Sequence, residues 1–206
     1  MKSKLSRICG LIGLVGCICV VVTDLVGAAV VDKHNPISET ISELAIGKYS
    51  WIQDMGLNFF AAGLIACAVA LYTWKLGGFR WKFGTVLLGL LGIDVFFISR
   101  YNQYANQASV GSTIHLYLVC ALGITFTLLT FLVAPGLRKV GLKWYRFTLW
   151  IMVLWTISAP LFFLVPTSWD GAYERLVALI MVTWVAGISW LLAGRGQKKS
   201  FAMRES

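Results

Sequence analysis

The sequence predicts an all-α, polytopic membrane helix bundle of six transmembrane helices, with a short amphipathic helix in its first outer loop. Three observations predict it. Hydrophobic residues make up 58% of the 206 positions and charged residues only 13%, whereas soluble domains hold roughly 45–50% apolar and about 25% charged residues. Six apolar stretches each approach the ~20 residues that a helix needs to cross the hydrocarbon layer, where the backbone must satisfy its own hydrogen bonds. The basic residues are distributed unevenly between alternate loops.

The predicted spans run over 8–31, 54–74, 83–99, 112–135, 145–166 and 172–193 and take up nearly the whole chain. They leave no room for a soluble domain of useful size, so residues 1–206 read as a single six-span membrane domain without repeat or linker. Lys2, Lys4 and Arg7 precede the first apolar run as in a signal peptide. That run is span-length and lacks a small-residue cleavage site, which predicts a retained first span. Trp51, Trp74, Trp81, Trp144, Tyr145, Trp169 and Tyr173 fall near the proposed water boundaries, where amphipathic rings settle. Gly10, Gly13 and Gly16, and Gly89 with Gly92, remove side chains at helical spacing and predict close helix packing.

A net charge of +9 raises the question of nucleic acid, and its distribution answers with topology. With both termini on the cytoplasmic side, fourteen of the 18 lysines and arginines lie inside; Lys33, Lys48, Arg100 and Arg175 lie outside. This follows the positive-inside rule and suits anionic lipid of an inner, cytoplasmic membrane. No nucleic-acid module is present. The five cysteines, Cys9, Cys17, Cys19, Cys67 and Cys120, all fall within spans without CxxC spacing, and read as small buried hydrophobes.

The longest outer loop, 32–53, carries a helical pattern. Asn35 can cap, Pro36 suits the first helical position and Gly47 can end the helix. At ~100° per residue Ile37, Ile41, Leu44 and Ala45 share one side, and Ser38, Glu39, Ser42 and Glu43 the other. The expected product is a short helix on, or tucked into, the outer membrane surface.

Acidic residues are equally lopsided: Asp24, Asp32, Glu39, Glu43, Asp54, Asp94, Asp170 and Glu174 fall in the outer half, and only Glu205 inside. Asp24 and Asp94 lie within spans, where an ionisable group costs from ~2.5 kcal/mol upward and must face a cavity or a partner. Candidate partners are Arg100, His115 at the start of span 4, Glu174 and Arg175 at the start of span 6, and Asn58, which shares a face with Asp54. With His34, Ser42 and Glu43 these groups are at a common depth and are expected to converge on a polar chamber open to the outside. Bland readings stand beside this one: His115 as a helix-end hydrogen-bonder, Arg175 and Glu174 in structural pairs with other helices, Asp24 reaching toward water.

Two histidines and some carboxylates do not make a zinc site without HExxH or comparable spacing, and haem normally takes axial histidines from facing spans while His34 lies in a loop. Neither cofactor is expected. GxSxG and Walker motifs are absent, and nothing marks a nucleophile.

The run Asn35-Pro36 to Ile41-Ser42-Glu43-Leu44 after span 1, the polar loop ending in His115, and Gly171-Ala172-Tyr173-Glu174-Arg175-Leu176 with Trp184 downstream resemble a bacterial membrane family known as domain-of-unknown-function family 998. The resemblance covers nearly the whole chain, and a looser similarity extends to the six-span Frag1, DRAM and Sfk1 proteins. Members of the family similarly show an extracytoplasmic Ser-Glu/Asp-Leu segment after the first span, a histidine opening span 4 and a Gln/Glu-Arg pair opening the last. Two departures stand out. Many relatives carry a cysteine and an aspartate in the loop before the histidine, where this chain reads Ser99-Arg100-Tyr101-Asn102-Gln103-Tyr104, and many place glycine where this chain has Ala45. The resemblance implies a fold and a site location but no activity.

Three functions fit these residues. The first is an outward-facing site, lidded by the loop helix, that binds a lipid headgroup or small amphiphile. The second is a membrane enzyme on a lipid or isoprenoid substrate, with His115 as acid/base and Asp94 or Glu174 orienting it. The third is a proton-coupled transporter using Asp94, disfavoured because the inner halves of the spans are almost devoid of ionisable groups.

Overall fold

The computed structural model describes residues 2–104 and 108–202. Within them each apolar stretch folds as one helix: α1 (Lys2–Val30), α2 (Ser50–Trp74), α3 (Phe79–Tyr101), α4 (Val110–Arg138), α5 (Leu142–Leu161) and α6 (Asp170–Ala202). All six are long and apolar enough to cross a membrane. Most extend past the apolar stretches by several residues, since a helix that leaves the hydrocarbon keeps its ladder until a cap or turn competes. At α4 the competitor is a capping box, in which Ser109 Oγ accepts from the Ser112 N–H at 3.2 Å. The fifth span stops early, at Leu161, and a 3-10 turn Phe162–Leu164 carries the chain to Val165 (φ −72°, ψ 142°). Val165 is extended because it precedes Pro166, whose ring excludes the helical region for the residue before it. Arg204 and Glu205, expected on the inner side, lie outside the described residues.

Each helix packs on the next in sequence, and α6 closes onto α1, so the six form a ring. The α1–α2 seam is the most extensive and the α5–α6 seam the sparsest. Glycines allow the tight seams. A Cβ on Gly13 would stand 2.2 Å from Ser189 Oγ and 2.7 Å from Cys67 Sγ, and one on Gly16 would stand 2.6 Å from the Phe59 carbonyl. Gly92 lets α3 reach α2 in the same way, with Ala61 O 2.9 Å from the missing Cβ.

The half of the ring near the chain termini is filled by Leu64, Leu71, Leu88, Leu129, Val133, Ile188 and Leu192. Trp81 belongs to this filling. Expected at the membrane boundary, it instead turns inward, is 1% exposed, and donates its indole N–H to the Leu71 carbonyl at 3.0 Å. Cys120, expected buried, is exposed on α4. No disulfide joins the five cysteines.

The 31–49 loop differs most from its expected form. In place of an amphipathic helix it has a turn around Asn35–Glu39 and a four-residue 3-10 helix, Ser42–Ala45. Asn35 Oδ1 accepts from the Ile37 N–H at 3.0 Å, and the Asn35 carbonyl accepts from the Glu39 N–H at 2.8 Å. The Asn35 side chain thus gives the backbone a local alternative to a longer helix. Leu44 is nonetheless tucked in, 1% exposed against Gly27, while Ile37 remains exposed. Gly47 ends the segment at φ 84°, a conformation that favours glycine.

Candidate functional site

Above the filled half, the ring surrounds a partly open cavity of about 730 Å³. Every helix contributes from its loop-end half: Val20 to Leu25, Gln53 to Phe60, Val95 to Asn102, Val119 to Leu128, Trp155 to Pro160 and Glu174 to Val182 are the limits of each contribution. Trp155 lines the floor, backed by Phe126 and Trp184 of the core. Phe126 packs edge-on against Trp155 (4.7 Å between centroids) and Trp184 (5.6 Å). Trp155 and Trp184 donate their indole N–H groups to Gly123 O and Thr148 Oγ1, both at 3.1 Å, so no polar atom of theirs is left for the cavity. The walls are mostly aliphatic and include the surface-exposed Leu25, Ile124, Leu128, Phe163 and Leu179. Polar residues gather at the loop end: Asp24, Ser42, Gln53, Asn102, Glu174 and Arg175.

Arg175 organises that end. Its Nε donates to Asp24 Oδ2 at 3.1 Å. Nη1 meets the carbonyls of Pro36 and Glu39 at 2.9 Å and of Gly171 at 3.1 Å. Nη2 lies 3.1 Å from Asp24 Oδ1 and 3.3 Å from His34 Nε2. His34 Nδ1 is in turn 2.8 Å from Glu39 Oε2. These partners define the imidazole: Nδ1 donates to the carboxylate and Nε2 accepts from the guanidinium. Glu174, one position earlier and so on another face of α6, accepts the Ile41 N–H at 2.6 Å. The Ala172 N–H donates to Ile37 O at 2.9 Å. Gly171 has no room for a side chain, since a Cβ there would stand 2.0 Å from Glu39 O. The first turns of α6 therefore bind the 31–49 loop across the mouth of the cavity through backbone atoms. Glu43 acts inside the loop, its carboxylate receiving the Thr40 N–H.

His115 is buried behind the cavity wall, with Nε2 3.3 Å from Ser42 Oγ and Nδ1 without a hydrogen-bond partner among the described residues. Neither Asp94 nor Glu174 orients the ring.

The other expected site residues lie elsewhere. Asp54, Asn58 and Arg100 line a separate open groove between α2 and α3, with Trp51, Met55, Phe59 and Ala62. There Ser99 Oγ donates to Asn58 Oδ1 at 3.1 Å, and the Arg100 guanidinium lies 5.0 Å from the Phe96 ring centre. Asp94, half-buried on α3, lines neither space, and its Oδ2 has no partner among the described residues. The single chamber expected from common depth is thus divided. Depth along a span fixes a residue's height in the bundle and says nothing of the direction in which it faces.

Gln53 and Asn102 were not legible as site residues. Among the described residues Gln53 is 0% exposed with neither side-chain amide atom hydrogen-bonded, and Asn102 is 1% exposed with an unpartnered Oδ1. Both sit at the ends of their spans, where a polar residue ordinarily meets water. The structure buries them under the loop. No group of three or more His, Cys, Asp or Glu side chains among the described residues is placed to hold a metal ion.

Six helices of membrane-spanning length and composition define a polytopic integral membrane protein. A family model described as "Protein of unknown function (DUF998)" matches residues 14–191, and the chain belongs to that family. No curated protein and no solved structure matches it.

Proposed function

We propose that the protein binds a membrane amphiphile, holding the apolar body in the cavity and the polar head under the 31–49 loop. The observation that carries this reading is the gradient inside one cavity: mostly apolar walls, among them Trp155 with its N–H satisfied, and polar residues at one end. Its volume of about 730 Å³ falls in the usual range of small-molecule sites, about 300–1,000 Å³. An apolar space of this size, walled in part by residues exposed on the membrane-facing surface, is filled most favourably by a hydrocarbon chain. The sparsely packed α5–α6 seam is the natural side entrance. In this reading both termini are cytoplasmic, the membrane is the cytoplasmic membrane, and the cavity opens toward its outer leaflet, as the charge bias between loops supports.

Gly123 provides the test. It lines the cavity, and nothing lies within 4 Å of where its Cβ would be. A side chain at this position starts into open space, and the ring of Gly123→Phe is expected to occupy the cavity. Native mass spectrometry of gently solubilised wild type is expected to show a retained amphiphile that Gly123→Phe lacks, at an equal or higher melting temperature. A wild type that retains nothing, or a variant that retains the same species, refutes the reading.

The Ser42–His115 contact favours a second reading, a membrane enzyme acting on the bound lipid. Ser42 lies on the cavity wall and His115 can accept its proton. A wild type that converts a lipid which His115→Ala binds unchanged would establish it.

A further inference from the structure

The polar end of the cavity carries a second, narrower message about the head it receives. The described residues place one basic side chain on the cavity wall, Arg175. A guanidinium has five N–H donors, and those of Arg175 face Asp24, His34 and three backbone carbonyls. Its hydrogen bonds are taken up by the loop, α6 and Asp24, and its charge is paired with Asp24, so it offers a phosphate little. The remaining charged groups on the wall, Asp24 and Glu174, are carboxyls, which offer an anion nothing. What the wall leaves without a hydrogen bond among the described residues is the Gln53 amide, donor and acceptor both, the Asn102 Oδ1 and the ion-paired Asp24 Oδ1, with the Ser42 hydroxyl, in contact with His115, beside them.

Unpaired polar atoms in a membrane interior are costly, because neither lipid nor apolar side chains can satisfy them. Two amides left in this state at one end of one cavity, under a loop tied down by other residues, call for a partner from outside the chain. A hydroxyl supplies it, since one atom both donates and accepts and so answers the two halves of an amide at once. A cationic head would leave the Gln53 Nε2 donors unanswered, and an anionic head would meet the two carboxyls.

Resting on the amphiphile reading above, we infer that the cavity selects an uncharged, hydroxyl-bearing head, of the kind carried by acylglycerols and long-chain alcohols, and that Gln53 and Asn102 read it. Gln53 and Asn102 both line the cavity, so the Gln53 amide offers the head a donor and an acceptor, and the Asn102 carbonyl oxygen takes the hydroxyl proton. Arg175 and Glu174 are positioning residues that hold the loop over this contact.

Three probes of equal chain length separate the head classes: 1-monooleoylglycerol, oleoyl lysophosphatidate and oleylamine, titrated into delipidated protein in a neutral detergent and read by native mass spectrometry. Monooleoylglycerol is expected to bind about tenfold more tightly than either charged probe, the size of one or two net hydrogen bonds. In Gln53→Leu that preference should fall to about threefold or less while the melting temperature holds or rises, because the substitution removes unpaired buried polar atoms and keeps the volume. Gln53→Met repeats the test in case leucine's branching disturbs the packing. In Gly123→Phe all three probes should be lost. Equal or tighter binding of the lysophosphatidate or the amine overturns the head assignment and leaves the amphiphile reading standing. A preference undiminished in both Gln53 variants overturns the assignment to Gln53. Failure of all three probes to bind a wild type that also copurifies no lipid overturns both readings.

Discussion

Arg175 shows how far a residue's role depends on what surrounds it. An arginine near the outer end of a span suggests a headgroup anchor, but here Asp24, His34 and three carbonyls occupy its donors. Its charge is neutralised by a carboxylate on α1, and its hydrogen bonds join α6 to the loop. Truncating one partner of such a part-buried pair leaves the other uncompensated, at a cost of about 3–5 kcal/mol. Arg175→Met is therefore expected to lower stability by about that much in detergent. The Arg175→Met/Asp24→Leu double variant should be less destabilised than the sum of the single effects, since the second change removes the stranded carboxylate. Simple additivity in a thermal or chemical denaturation series would remove the ion pair from this account. Gln53 has the opposite lesson. Its lack of partners makes it dispensable for folding and informative about the ligand.

At the scale of elements, the decisive piece is the 31–49 loop and its seat on α6. Its own sequence favours a turn, through the Asn35 side chain and the Glu39 carboxylate, which accepts the Asn35 N–H at 3.1 Å. Its position over the cavity comes from α6, through Gly171, Ala172, Glu174 and Arg175. Gly171→Ala inserts a methyl where Glu39 O already stands, so the loop must lift or the helix shift, for about 1–3 kcal/mol. The expected outcome is faster tryptic cleavage at Lys33 and Lys48 in the folded protein, with the far-ultraviolet helix signal unchanged. Cleavage at the wild-type rate would mean that the loop is not held by this contact. Helix caps tell the same story on a smaller scale: Ser109 and Ser112 start α4 by local chemistry alone.

The whole molecule is a ring with one half filled and the other hollow, and this division suits the charge distribution. Basic residues crowd the loops next to the filled half, and carboxylates crowd the hollow end. If the positive-inside rule orients the ring, Lys48→Cys in intact cells should react with a membrane-impermeant maleimide and Lys139→Cys should not, each in a background lacking the five native cysteines. The reverse pattern would turn the cavity toward the cytoplasmic leaflet and make its ligand a lipid of that side.

Six helices, their approximate limits and the small-residue seams of α1 and α3 were all legible in the sequence, because the membrane reduces the local choice to helix and close packing needs small side chains whatever the partner. The common level of His34, Ser42, Glu174 and Arg175 was legible too, as polar residues concentrated at one depth. Which of them touch was decided by tertiary structure alone. Depth is a one-dimensional coordinate along each helix, whereas a site also requires the rotation of each helix about its axis and the order of helices around the ring. Those two quantities placed Asp54, Asn58 and Arg100 in another groove, left Asp94 outside both spaces, saturated Arg175, and buried Gln53 and Asn102 unpaired beside an apolar cavity. Packing between helices sets both quantities, and no stretch of sequence contains it by itself.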